Sequence, residues 1–129
     1  MKIIYTFIII TIILFFTSNC KKEDYSSSPS INFIKNVDSG YISKDTALKQ
    51  DVKFKFGIYA KAIGKKNNIN RLIIYVDDKI CFDTILNINP LRIDYIAYKD
   101  TSKVNIWKFK VVDRSSNSDS ISIKISLAQ

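Results

Sequence analysis

Most of this chain alternates between apolar and polar residues with a period of two. Residues 52–60, VKFKFGIYA, alternate almost strictly, and residues 120–127, SISIKISL, alternate without a break. Successive side chains of a β-strand point to opposite faces, so this pattern predicts strands with one buried and one exposed face. After residue 20 no stretch shows the 3.6-residue period of an amphipathic helix.

The same pattern, divided by turn residues, predicts seven strands. Gly, Pro, Asn, Asp and Ser are concentrated between the apolar runs, where they favour turns. Seven short strands in a domain of about 100 residues are typical of an antiparallel β-sandwich of immunoglobulin type. The predicted strands are residues 31–35, 52–60, 70–76, 79–86, 91–98, 104–112 and 120–127.

The alternation also predicts which side chains form the core. Trp107 is in phase with Phe109 and Val111, which favours a core position over an exposed ligand platform. Lysines occupy the opposite phase, where they discourage pairing between sheet edges. The predicted core is Val52, Phe54, Phe56, Ile58, Trp107, Phe109, Val111, Ile121, Ile123, Ile125 and Leu127, and the predicted outward lysines are Lys53, Lys55, Lys108, Lys110 and Lys124.

The beginning of the chain has a different character. Met1 and Lys2 precede an uncharged run, residues 3–16, and the small polar residues Thr17-Ser18-Asn19 lead to Cys20. A helix that spans a bilayer needs about 20 apolar residues. The run is shorter than that and has the length of the apolar segment of a signal peptide.

This leader resembles a bacterial lipoprotein signal. The resemblance implies cleavage before Cys20, whose sulfur then carries a diacylglycerol, and fatty acids such as palmitate anchor the protein to the membrane. It divides the chain into a signal peptide (1–19), a lipidated flexible tether (20–30) and a β-sandwich domain (31–129). The alternatives are an ordinary secretory signal followed by a cysteine that has no lipid, and a retained single-pass anchor.

The residues after the cysteine, CKKED, resemble the start of surface-exported lipoproteins in Bacteroidota. That resemblance implies an outer-membrane protein that faces the cell exterior, and the alternative is a solvated spacer in the periplasm. Residues 25–30, YSSSPS, contain no aliphatic side chain and read as a flexible tether.

The domain itself resembles the small immunoglobulin-like domains of Bacteroidota lipoproteins. The likeness lies in the segments SINFI, GYISKDTALKQDVKFKFGIYAKA and WKFKVVDRSSNSDSISIKISL. Their anchors are a Gly-Tyr loop and a Trp-x-Phe-x-Val-x-Asp strand. The resemblance implies a fold and no chemistry, because such folds carry many functions. The anchor residues are Gly40, Tyr41, Trp107, Phe109, Val111 and Asp113.

Charge and cysteine content argue against two kinds of function, nucleic-acid binding and catalysis by a cysteine. Lys and Arg number 20 against 12 Asp and Glu, a net charge of +8, but the basic residues are scattered along the chain. This scatter, with abundant Ile and Asn, is typical of an AT-rich coding bias, so we expect no nucleic-acid partner. The chain has no histidine to activate a cysteine nucleophile. Cys81, between Ile80 and Phe82, is therefore predicted to be a buried structural thiol.

The acidic residues do not form a recognisable site. Asp77, Asp78 and Asp113 could contribute oxygen ligands to calcium, but their positions in predicted turns explain them more simply. Asp83 and Asp94 could be a carboxylate pair for glycoside hydrolysis, yet they lie on separate predicted strands. With three glycines in the chain, a cofactor cradle of backbone amides is not expected. We predict no enzyme activity, no metal and no cofactor.

One predicted hairpin, residues 71–85, is apolar on both faces of its first strand. If Asp77-Asp78 is a two-residue turn, Tyr75 lies opposite Ile80 and Ile73 lies opposite Phe82. Directly opposed residues share a face, so these four residues form one cluster. The candidate binding patch is Ile73, Tyr75, Ile80 and Phe82. The alternatives are that residues 87–90 cover the cluster or that a β-bulge turns Phe82 inward.

The sequence thus predicts a lipid-anchored envelope protein whose sandwich is a non-enzymatic binding or interaction module. Its expected partners are the membrane, through the lipid on Cys20, and a glycan, an envelope protein or a host protein. The alternative function is a passive structural or accessory subunit without a ligand of its own.

Overall fold

Eight β-strands make up most of residues 27–129, the part of the chain that the computed structural model describes. A 3₁₀ turn, Val37–Ser39, joins the first two strands. No helix within residues 27–129 is long and apolar enough to cross a membrane. The strands are β1 (Ser30–Phe33), β2 (Thr46–Leu48), β3 (Lys53–Lys61), β4 (Ile69–Val76), β5 (Lys79–Ile88), β6 (Leu91–Tyr98), β7 (Val104–Asp113) and β8 (Ser118–Leu127).

The strands form two sheets that pack face to face. The three-stranded sheet has the order β1-β3-β6, and the five-stranded sheet has the order β2-β8-β7-β4-β5. All pairs are antiparallel except β2 and β8, which are parallel. The predicted immunoglobulin-like sandwich is confirmed, as are all seven predicted strands. The eighth, β2, was missed because three residues are too few to show alternation.

Aromatic rings from both sheets hold the sandwich together. The ring of Phe56 on β3 lies 5.0 Å from that of Phe109 and 5.4 Å from that of Trp107, both on β7. Phe54 makes an edge-to-face contact with Trp107 at 5.9 Å. Such contacts contribute beyond the area they bury. Trp107 is 8% exposed, so its predicted core position is confirmed.

Two parts of the predicted core differ from the structure. Val52 is 39% exposed, and its predicted core position is wrong because it lies in the turn before β3 begins. Ile121 and Leu127 on β8 are only half-buried, whereas Ile123 and Ile125 are buried. Since the second sheet is two strands wider than the first, its outer strands are covered incompletely.

The difference in width also leaves β5 open. Tyr95 on β6 packs against Trp107 and Phe109 of β7, and it also meets β5, through a ring contact with Phe82 at 6.1 Å and through the sulfur of Cys81 at 3.8 Å. Every residue of β5 is exposed or half-buried. The ten-residue strand β5 is therefore the open margin of the sandwich.

We expect Trp107→Ala to destabilise the domain by about 3–5 kcal/mol, because it empties a large aromatic site in the core. The matched control is Ile106→Ala on the same strand, where the side chain is 52% exposed. It should change stability by less than about 0.5 kcal/mol. Denaturant titration followed by circular dichroism measures both, and similar values for the two variants would contradict the packing described above.

Candidate functional site

The β4–β5 hairpin carries the predicted binding patch, and its register differs from the prediction. Tyr75 lies opposite Ile80, as predicted, but a β-bulge follows, and Phe82 lies opposite Ile74. The predicted pairing of Ile73 with Phe82 is wrong because Cys81 is the extra residue of this bulge. One extra residue reverses the alternation beyond it, which turns Phe82 towards the interior, as the alternative with a β-bulge predicted.

The four patch residues consequently lie in different environments. Ile73 is 6% exposed and lies between Asp83 and Lys110 on the outer side of the sheet. Tyr75 is half-buried, and the ammonium of Lys108 lies 4.8 Å from its ring centre. Ile80 is 58% exposed on the outer side, and Phe82 is 41% exposed on the inner side. They do not form a single exposed cluster.

Cys81 is exposed at the bulge, so the predicted buried position of this residue is wrong. Its sulfur lies 3.4 Å from the carbonyl oxygen of Ile74 and 3.8 Å from the hydroxyl of Tyr95. Burial and the neighbouring thiol raise the pKa of Tyr95 to about 12. With Tyr95 protonated at neutral pH, this pair has no base that would activate the thiol.

The free side of β5 forms the first candidate surface, which we call the β5 edge. It consists of the strand's outward-facing backbone and four apolar side chains, Ile80, Phe82, Ile85 and Ile88, which are 58%, 41%, 81% and 46% exposed. Within residues 27–129 no other strand pairs with this side. Natural sheet edges are usually blunted by charges or short strands. Here the charged residues are Lys79 and Asp83, and Asp83 is paired with Arg71.

The ion pair between Arg71 and Asp83 lies on the outer side of the β5 edge. The Nε atom of Arg71 donates to Asp83 at 2.8 Å, and this contact lowers the pKa of the carboxyl group. A shallow pocket of 520 Å³ lies beside the pair and is lined by Asn70, Thr84 and Ile85 as well. The pair leaves the β5 edge close to neutral.

A partly buried polar network fixes the turn that begins β5. Asp77 accepts hydrogen bonds from the backbone N–H of Ile106 at 2.8 Å and from the side chain of Asn105 at 3.1 Å. Its own N–H donates to the carbonyl of Ile106. These three bonds tie the β4–β5 turn to β7, so the hairpin has one fixed orientation.

Lys99 lies at the centre of this network, and its side chain is fully buried. Its three N–H groups face four oxygens, of which the two of Asp100 share a donor: the carbonyl of Asp100 at 3.1 Å, its carboxylate at 3.0 Å, the carbonyl of Ser102 at 2.6 Å and the side chain of Asn105 at 2.8 Å. Buried charges require such compensation. The sequence predicts a turn between residues 98 and 104, where Lys99 lies, and it does not indicate that the lysine side chain is buried.

The second candidate surface lies on the outer side of the three-stranded sheet. Tyr41 covers Gly57 of β3, where an added Cβ would lie 3.0 Å from the tyrosine ring and 3.0 Å from the Cβ of Ile34. Only glycine allows so close an approach. The hydroxyl of Tyr41 donates to Asp94 on β6 at 2.7 Å, which raises the pKa of the tyrosine. The Gly-Tyr loop noted in the sequence is thus docked on the sheet.

Cations and tyrosines surround this docked loop. Tyr59 lies opposite Arg92, and Tyr98 lies opposite Lys53. Lys55 lies with its ammonium 4.5 Å from the ring centre of Tyr41. We call this surface the tyrosine–lysine face, made of Tyr41, Lys53, Lys55, Tyr59, Lys61, Arg92, Asp94, Ile96 and Tyr98.

Sequence reasoning missed the tyrosine–lysine face, although the signal was present. Residues 92–98, RIDYIAY, alternate, with Arg92, Asp94, Ile96 and Tyr98 in one phase. These residues are all exposed. The pairing between β3 and β6, which brings the two tyrosines next to cations, is a long-range contact that alternation cannot provide.

The aspartates considered for chemistry serve the fold. Buried Asp113 accepts hydrogen bonds from Asn67 and from the N–H groups of Ser115 and Asn117, so it stabilises the β7–β8 turn. Asp83 and Asp94 lie on the outer faces of different sheets and cannot act on one substrate. No group of three or more potential metal ligands occurs within residues 27–129. The predicted lipidation site, Cys20, lies outside the described residues.

Comparison with known proteins bears on the fold. The chain is similar to the fibronectin(III)-like modules of CbhA from Clostridium thermocellum, with 14% identity over 78% of this chain and 98% of the other, at a TM-score of 0.51. It is also similar to an engineered protein, with 4% identity over 79% of this chain and 20% of the other, at 0.50. For the CARDB domain of a Pyrococcus furiosus protein the identity is 7% over 79% and 99%, at 0.48.

At such identities the likeness concerns the fold alone. No protein-family model matches the chain, and no curated protein matches it.

We expect Lys99→Met to destabilise the domain by at least about 2 kcal/mol. The substitution keeps the length of the side chain but leaves the side-chain oxygen of buried Asn105 without this donor, and a buried polar atom without a partner costs about 1–3 kcal/mol. Lys103→Met, at an exposed position of the same loop, is the control and should change stability by less than about 0.5 kcal/mol. Urea titration measures both, and equal stabilities would show that the network does not hold the hairpin.

Proposed function

We propose that this chain is a lipid-anchored protein of the bacterial outer membrane whose sandwich is a non-enzymatic interaction module. The lipid on Cys20 attaches it to the membrane, and residues 20–30 act as the tether. The contact site is the β5 edge, and its partner is an extended segment of another envelope or host protein. Support for the anchor comes from the leader sequence, and support for the module comes from the sandwich and its open margin.

The observation that carries the proposal is the free side of β5. An extended peptide can add to such an edge as a further strand, and its main chain then pairs with the exposed N–H and C=O groups. The apolar side chains on the two faces of β5 supply pockets for alternate side chains of the added strand. Ile85, at 81% exposed, is the most accessible of them.

Charge favours a different protein over a second copy of this chain as the partner. The full sequence has a net charge of +8, and removal of the leader takes away only Lys2, so each processed copy keeps about +7 and two copies repel each other before contact. The β5 edge itself is close to neutral, because Asp83 is paired with Arg71 and Lys79 lies at the end of the strand. A neutral or acidic extended segment therefore meets no charge at the edge that would repel it.

The passive structural role is the second candidate. The outer side of β8 presents Ser118, Ser120, Ser122 and Lys124, all exposed, which is the uniform polar surface that such a role requires. This surface covers one strand, whereas the apolar exposure lies on β5. An experiment that compares the two strands separates the two functions.

For the contact site we expect a photo-crosslinker at Asn87, on β5, to give a discrete adduct in intact cells. A crosslinker at Ser122, on β8, is the matched control and should give none. Adding Ile85→Lys should reduce the Asn87 adduct at least tenfold, because it places a charge among the apolar contacts. Ile106→Lys, an exposed position on β7, should leave it unchanged.

Equal adducts at both crosslinker positions, or none at either, would favour the passive role. An adduct between two copies of the chain would show that the β5 edge mediates self-association and that its partner is not a different protein. Unchanged melting temperatures of the two lysine variants show that the fold is intact.

For the anchor we expect Cys20→Ser to abolish incorporation of labelled palmitate and to release the protein from membranes. The chain contains two cysteines, so Cys81→Ser is the matched control and should remain labelled and membrane-bound. Labelling and membrane fractionation in the native host measure both. If Cys20→Ser is processed normally and stays on the membrane, the leader is an ordinary secretory signal.

A further inference from the structure

The tyrosine–lysine face combines rings and cations in a fixed arrangement. The antiparallel register of β3 and β6 places Tyr98 opposite Lys53 at one end and Tyr59 opposite Arg92 at the other. Opposed residues of antiparallel strands share a face, so each ring has a cation beside it. From Lys53 to Tyr59 the strand spans about 20 Å, at roughly 3.3 Å per residue.

The cations of this face have no acidic partners of their own. None of Lys53, Lys55, Lys61 and Arg92 forms an ion pair with another residue of the described segment, 27–129. The acidic residue of the face is Asp94, which accepts the hydroxyl of Tyr41. With four cations and one carboxylate, the face has an excess of positive charge that fits an anionic ligand.

The exposed apolar atoms of the face are complementary to a ligand with flat apolar surfaces. Tyr59 is 37% exposed, Ile96 is 50% exposed and Tyr98 is 63% exposed. A pyranose ring presents C–H groups on one face and hydroxyls at its rim. That matches a tyrosine, which has an apolar ring and a polar tip. A shallow groove of 300 Å³ runs between Gly40, Lys53, Lys55 and Ile96 and continues this surface.

The position of the acid distinguishes among anionic polymers. Asp94 and Tyr41 lie at the centre of the face with the ammonium of Lys55 over the tyrosine ring, and the other cations lie towards both ends. A single strand of nucleic acid carries a phosphate at every nucleotide of its backbone and would place negative charge against this carboxylate. A polysaccharide of uronic acids carries hydroxyl groups between its carboxylates, and these hydroxyls can lie against Asp94 instead.

We propose that the tyrosine–lysine face binds an acidic, carboxylate-bearing polysaccharide. Sugar rings stack on Tyr59 and Tyr98, and the carboxylates pair with Lys53 and Arg92, where the guanidinium can bind a carboxylate through two hydrogen bonds. At the centre, the hydroxyl oxygen of Tyr41 and the carboxylate of Asp94 accept hydrogen bonds from sugar hydroxyls. This site is separate from the β5 edge, which lies on the other sheet.

The test uses the full chain purified in detergent, with alginate as the acidic probe and dextran as the neutral one. We expect binding to alginate, weakened by salt, and none to dextran. The double variant Tyr98→Ala with Lys53→Ala should weaken alginate binding at least tenfold. The matched control is Tyr75→Ala with Lys108→Ala, a tyrosine–lysine contact on the other sheet with the same change in net charge. It should bind within twofold of the original protein.

Tyr98→Phe supplies a second measurement, because it keeps the stacking ring and should retain most of the binding. Three results would overturn the proposal: no binding to alginate, an equal loss in the control variant, or equal or tighter binding of single-stranded DNA or phosphatidylglycerol vesicles through the same residues. An equal loss in the control would mean that net charge alone attracts the polymer.

Discussion

The contact of Phe56 with Trp107 and Phe109 is the interaction on which the rest of this structure depends. It joins the central strand of the three-stranded sheet to the central strand of the five-stranded sheet. Because aromatic side chains bury a large area in fixed orientations, this contact sets both the distance and the relative position of the sheets. Once β3 lies over β7, the narrower sheet cannot cover all of the wider one.

The exposed surfaces follow from that mismatch. The strand β6 contacts β5 through Tyr95, which meets Phe82 and Cys81, and β5 keeps a free edge with apolar residues on both sides. On the outer side of the narrow sheet, Gly57 allows Tyr41 to lie close to the backbone, which brings its hydroxyl to Asp94. The packing of β3 on β7 therefore accompanies both candidate surfaces, an apolar edge and a basic face, which lie on different sheets.

Alternation in the sequence was sufficient for the fold and insufficient for the surfaces. It located seven strands and the inward phase of Phe54, Phe56 and Trp107, because a strand that is buried on one face has apolar residues at every second position. It failed at Phe82, since the extra residue at Cys81 reverses the phase and nothing in the local composition marks a bulge. It also gave no sign that Lys99 is buried, because the oxygens around its ammonium come partly from backbone and from a loop. Long-range pairings, such as Tyr59 with Arg92, are likewise absent from any local pattern.

The central claim is that β5 is an open edge in the free protein. Amide hydrogen exchange measured by NMR tests it directly, because an edge strand bonds to its neighbour with only about every second N–H group. The account predicts alternating slow and fast exchange along Lys79–Ile88, with uniformly slow exchange along β4 and β7. Uniformly slow exchange along β5 at low protein concentration would contradict it, since the edge would then already be covered.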